Sequence, residues 1–167
     1  MKPHFFKLLL YYLFPFFWAL LFVLWGFIPE RFFRYFHQSL PLVLIVIFYF
    51  ALFSFKRLNV FLIFLLGILS DLISVGAFGL NTFIFVWFFF WTNFLKNYIQ
   101  KLSFNYLWGI FSLLMLLTDV IWAWLGRIAV GVWVSPSFWF VQYIFVCLCY
   151  PFIFWITAKL NRCTKDI

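Results

Sequence analysis

The chain has 167 residues, of which 68% are hydrophobic and 10% charged, and phenylalanine alone supplies 30. No polar stretch approaches the roughly 50 residues that a separate soluble domain needs. The net charge of +8 has no polar surface on which to grip nucleic acid, so the sequence reads as one integral membrane domain, residues 1–167, with its positive charge setting orientation.

Residues 8–28 carry no charge. Lys2 and Lys7 ahead of them imitate a signal peptide. The apolar run of 21 residues exceeds the usual h-region of about 7–15, and Gly26-Phe27-Ile28-Pro29 is no small-x-small cleavage site. An uncleaved first membrane helix, kinked at Pro15, is expected. In Pro29–Gln38 the side chains of Glu30, Arg31, Arg34, His37 and Gln38 fall on one helical face and Phe32, Phe33 and Phe36 on the other. That pattern fits a short amphipathic helix in the headgroup layer, with His37 on its solvated face.

Helices are then expected over about 39–55 and 58–75, and over 79–95 after the break Gly76-Ala77-Phe78-Gly79-Leu80-Asn81, where two glycines and an asparagine punctuate one long apolar stretch. In Lys96–Asn105, Lys96, Asn97, Gln100 and Lys101 oppose Tyr98, Ile99 and Leu102, which predicts a second interfacial helix. Two further spans follow over about 104–125 and 137–158. Gly131 and Ser135-Pro136-Ser137 part them, and Pro151 is expected to kink the last. The fold class is an all-α polytopic membrane protein with six helices, since a bilayer core about 30 Å thick takes about 20 apolar residues per helix.

With the N-terminus in the cytoplasm, Lys2, Lys7, Lys56, Arg57, Lys96, Lys101, Lys159, Arg162 and Lys165 fall inside, and Arg31, Arg34 and Arg127 outside. Nine against three over short loops is the positive-inside pattern, and it predicts that both termini are cytoplasmic. A reporter that works only outside the cytoplasm, fused to the C-terminus, is expected to be silent; activity there would overturn the topology.

An ionisable group in the bilayer costs about 2.5–3.5 kcal/mol on insertion scales, so it calls for a reason. Asp71 and Asp119 are the two such carboxylates. At 1.5 Å per residue they lie about 20 Å and about 22 Å along their helices from the cytoplasmic side. They are placed at similar depth toward the outer leaflet, to line one polar pocket or face one partner. Each carboxylate hydrogen-bonds neighbouring helices, meets a partner protein, or serves an ion or proton relay; a relay usually brings more acids, or a deep Lys or His. Gly67, Asp71 and Ser74 share a face at i, i+4, i+7, with Ser70 beside it. On the fifth helix Asn105, Gly109, Ser112, Leu116, Asp119, Ala123 and Gly126 form a seam of mostly small or polar residues, the kind membrane helices use against one another. This seam is expected to face protein. Gln142, the other deep polar group, is expected to make an interhelical hydrogen bond.

No nucleotide, zinc or nucleophile-elbow signature is present. His4 and His37 fall on opposite sides of the membrane, and Cys147, Cys149 and Cys163 form no Cys-x-x-Cys pair. The expectation is a non-enzymatic chain with no cofactor and no metal. Aromatic residues make up 29% of the chain. Trp25, Trp108 and Trp155, like Tyr11 and Tyr12, lie near helix ends as interfacial anchors do. The phenylalanine excess is expected to face lipid.

The block from Leu40 to Trp91 resembles the core of the rod shape-determining protein MreD family. The likeness rests on Pro41 before the second helix, on Gly67-Ile68-Leu69-Ser70-Asp71, and on Gly76 and Gly79 leading into Leu80-Asn81. It covers about a third of the chain, while the remainder matches only in size and number of helices. The aromatic content and Asp119 stand outside the family's pattern. The resemblance implies a scaffold of the bacterial inner (cytoplasmic) membrane that binds MreC, a single-span protein. Through MreC it is linked to MreB filaments inside, and outside to RodA and a class B penicillin-binding protein that build peptidoglycan. It also implies roles for Gly67 in close helix approach, Asp71 in a polar contact and Gly79 in a tight outer turn. The family's fold is similar to the substrate-binding membrane subunit of energy-coupling-factor vitamin transporters, which is the alternative. Such a subunit docks through a small-residue face on its first helix, where this chain has Ala19 as its only alanine.

Overall fold

A computed structural model describes residues 14–25, 41–53, 58–74, 78–131 and 136–165. These form six helices and no strand: α1 Phe14–Trp25, α2 Val43–Phe53, α3 Val60–Ile73, α4 Leu80–Ile99, α5 Phe104–Val130 and α6 Pro136–Lys165. Each falls on one of the six expected segments. Two stretches, Phe104–Ile128 in α5 and Trp139–Arg162 in α6, are long and apolar enough to cross a bilayer. The segment expected over Pro29–Gln38, His37 with it, lies outside the described residues.

Three helices outrun their expected ends. α4 continues to Ile99, α5 to Val130 and α6 to Lys165. Lys96 and Arg127 stand in the last turns of α4 and α5, where a cation complements the negative end of the helix dipole. The separate interfacial helix expected over Lys96–Asn105 is therefore not formed. Lys96 to Ile99 complete α4, and Gln100 N–H still donates to Lys96 C=O at 3.0 Å. Leu102 N–H closes a turn onto Ile99 C=O at 3.0 Å, and Ser103 C=O receives the first bonds of α5. Extending a hydrogen-bonded helix leaves fewer orphan backbone groups than starting a new one. Of the apolar face read there, Tyr98 is 76% exposed and Ile99 is buried.

α2 forms the centre. Val43 through Leu52 are each at most 6% exposed, as expected of a helix that is apolar on every side. It packs against α4 and α6; α3 and α5 flank α4, and α5 also meets α6. Trp18 Nε1–H of α1 donates to Thr157 Oγ1 of α6 at 3.2 Å, and Asn161 Nδ2–H of α6 donates to Tyr49 Oη of α2 at 3.2 Å. Outward faces carry large apolar side chains, among them Phe61, Phe90, Trp124 and Leu148. An apolar exterior of this extent is foreign to a soluble monomer.

The aromatic excess is only partly on that exterior. Phe48 of α2, Phe88 of α4, Phe111 of α5 and Tyr150 of α6 are fully buried. Their ring centroids lie 4.6–6.4 Å apart, and each such pair adds about 0.5–1.5 kcal/mol beyond burial. This cluster also corrects the expected seam on α5. The inward stripe is Leu107, Phe111, Leu114, Met115 and Thr118, all buried. Of the seam, Gly126 is buried, and Ser112, Asp119 and Ala123 are half-buried. Asn105, Gly109 and Leu116 are exposed. Small residues leave a gap against ring-sized neighbours, so bulky side chains win the inward face. Pro151 lies inside α6, and Pro15 is the second described residue of α1.

Candidate functional site

The α3–α4 connection is built around one carboxylate. α4 starts at Gly79, which has no side chain to cap the helix and sits at φ 93°, a left-handed conformation that suits glycine. The first turn of a helix leaves N–H groups without partners, and here Asp71 supplies them from the end of α3. Its Oδ2 accepts from Gly79 N–H at 3.0 Å, Thr82 N–H at 3.1 Å and the Thr82 hydroxyl at 2.5 Å. Its Oδ1 accepts from Asn81 N–H at 2.9 Å. Asp71 is 3% exposed, and the positive end of the α4 dipole compensates its charge. A second layer braces the turn: Asn81 Nδ2–H donates to Ser74 Oγ at 3.3 Å, and the Ser74 hydroxyl donates to Asp71 C=O at 3.2 Å.

Gly67 sits one turn earlier on the same face of α3. A Cβ placed there would overlap the Thr82 Cα and meet the Thr82 Cβ and Oγ1 at 3.0 Å. The missing side chain lets α4 come close enough for Thr82 to reach Asp71. Gly67, Asp71 and Gly79 are thus parts of one hairpin, and the polar contact Asp71 makes is with its own chain.

Asp119 is placed differently. Half-buried on α5, it lines a cavity of about 40 Å³ together with Thr118, Ser70, Asn81 and Gln142. Late residues of α1 and α3 (Val23, Ser70) and mid-helix residues of α5 (Thr118, Asp119) meet early residues of α4 and α6 (Asn81, Gln142) and Pro41 ahead of α2 around this space. α5 and α6 run antiparallel, since Phe104 packs on Phe154 and Trp122 on Trp139. Successive helices therefore alternate in direction, with Asp71 near the end of its helix and Asp119 near the middle of its own. They do not share the pocket. Ser70 and Asn81, beside the Asp71 cap, line it, whereas Asp71 turns to the α4 N-terminus.

Neither Asp119 nor Gln142 has a hydrogen-bond or ion-pair partner among the described residues, so the interhelical bond expected of Gln142 is not made. Thr82 had no distinguishing mark in the sequence apart from its place in the first turn of α4. Elsewhere, α5 and α6 are joined by Trp108 Nε1–H donating to Cys147 C=O at 3.0 Å and by a bond between the Ser112 and Tyr143 hydroxyls. Cys147 is buried with its thiol 3.8 Å from Ser112 Oγ. No group of three or more His, Cys, Asp or Glu among the described residues is arranged to hold a metal ion.

Compared with known protein families, curated proteins and solved structures, the chain matches none.

Proposed function

We propose that this protein is a non-enzymatic scaffold of the bacterial inner membrane, resembling MreD, that spans the bilayer with six helices and keeps both termini in the cytoplasm. In this role it binds an MreC-like single-span protein. Through that partner it joins MreB filaments on the inside to RodA and a class B penicillin-binding protein on the outside, and so maintains cell shape during peptidoglycan synthesis.

One observation carries the reading: the residues on which the resemblance rests, Gly67, Asp71 and Gly79, converge on a single capped hairpin. The alternating helix directions and the apolar exterior support the six-span topology. The cavity weighs against the vitamin-transporter alternative. At about 40 Å³ it is far smaller than the roughly 300–1,000 Å³ of pockets that hold drug-sized ligands.

The test is co-purification in mild detergent with the MreC-like protein of the same organism. A stable stoichiometric complex is expected. A chain that inserts and extracts well yet captures no such partner would overturn the scaffold role.

A further inference from the structure

We propose that the cavity between α3, α4, α5 and α6 is a binding site for one monovalent cation of the sodium class, held by the Asp119 carboxylate and the Gln142 amide oxygen. This inference goes beyond the scaffold reading and stands without it.

The polar lining offers oxygens from five side chains, Ser70, Asn81, Thr118, Asp119 and Gln142. Thr118 spends its hydroxyl hydrogen on Leu114 C=O at 2.7 Å, and Asn81 turns its amide N–H to Ser74 Oγ at 3.3 Å. Thr118 keeps its oxygen lone pairs, and Asn81 keeps its amide oxygen and one N–H. Asp119 adds a carboxylate, and Ser70 a hydroxyl oxygen. Gln142 is 3% exposed and lines the cavity without a hydrogen-bond partner among the described residues. Rotation of its amide offers either Oε1 or Nε2, and a cation selects the oxygen. Such a surface disfavours an anion, and a half-buried carboxylate without an ion-pair partner in the cavity is suited to pairing with a cation.

Asp71 cannot share this load, since its own charge faces the α4 N-terminus. No Lys or Arg lines the cavity. Size and charge then narrow the occupant. A cavity of about 40 Å³ accepts an ion-sized body with a water or two, as one water needs about 10–15 Å³ on the same measure. One carboxylate neutralises one positive charge. A divalent ion would leave a net charge in an apolar bundle, and calcium takes 6–8 oxygen ligands, several of them carboxylates.

The experiment is thermal unfolding of the full-length protein in mild detergent, in sodium chloride against choline chloride at equal ionic strength. The melting temperature is expected to rise with sodium and then saturate, by on the order of 3–6 °C at tenfold excess over the dissociation constant. Asp119→Asn and Gln142→Leu should each remove this sodium-dependent part. Equal melting in both salts, or a sodium shift undiminished in both variants, would overturn the site. Should the variants fail to fold, saturable binding of radioactive sodium to the unmodified protein, displaced by unlabelled sodium chloride, supports it, and absence of saturable binding refutes it.

Discussion

Gly67→Leu is expected to remove most of the folded protein from the membrane. The obstacle is backbone: a Cβ at this position overlaps the Thr82 Cα, which has no rotamer by which to yield. Overpacking a close-packed interior costs about 1–3 kcal/mol even when side chains can adjust. Here α3 and α4 must separate as whole helices. Separation also stretches the four hydrogen bonds that Gly79, Asn81 and Thr82 donate to Asp71, so the steric and polar losses add. Even Gly67→Ala should lower stability by about 2–3 kcal/mol. Gly109→Leu is the control, because a Cβ there meets nothing within 4 Å. Monodisperse protein recovered after detergent extraction, with its melting temperature, reads the difference. Normal recovery of Gly67→Leu would show that the two helices do not pack in this way.

The positions of the helices were legible because charge and apolar length are local signals. Each of the six segments read from Lys, Arg, Gly and Pro punctuation meets a helix. The rank of the helices was not legible. Nothing in Val43–Phe53 taken alone says that it is the central helix; that follows from how the others wrap it. The seam on α5 faces protein only in part, at Ser112, Asp119, Ala123 and Gly126, for a related reason. Small residues mark contacts where helix backbones approach, as Gly67 does, but the centre of the inward face of α5 is held by Phe111, whose ring packs on Phe48, Phe88 and Tyr150. At the candidate site, the i, i+4 spacing of Gly67 and Asp71 placed both on one face. The partner of that face was hidden, since Asp71 bonds backbone N–H groups 8, 10 and 11 residues away. Backbone donors leave no residue-type signature. The cavity likewise joins residues from helices far apart in sequence, and Gln142 gave only the sign of being polar and deep.

Asp71→Ala should cost about 3–4 kcal/mol, as several charge-assisted hydrogen bonds are lost at once and the N–H groups of a part-buried helix start lose their acceptor. A local N-cap residue replaced by alanine costs about 0.5–2 kcal/mol. The larger figure here follows from the burial of Asp71 and Thr82 and from the number of donors that one carboxylate serves. Asp71→Asn separates charge from geometry. An amide oxygen in place of Oδ2 keeps the bonds from Gly79 and Thr82, while the amide nitrogen faces the Asn81 N–H, donor against donor. The expected loss is about 1–2 kcal/mol, with faster hydrogen exchange at residues 79–82. The same variants separate the two uses of an acid in a membrane helix. If Asp71 worked chiefly through a partner, Asp71→Asn would melt like the unmodified protein and lose only the complex. With all four bonds made inside the chain, the isolated protein should lose stability first, and any weakening of a complex should track that loss.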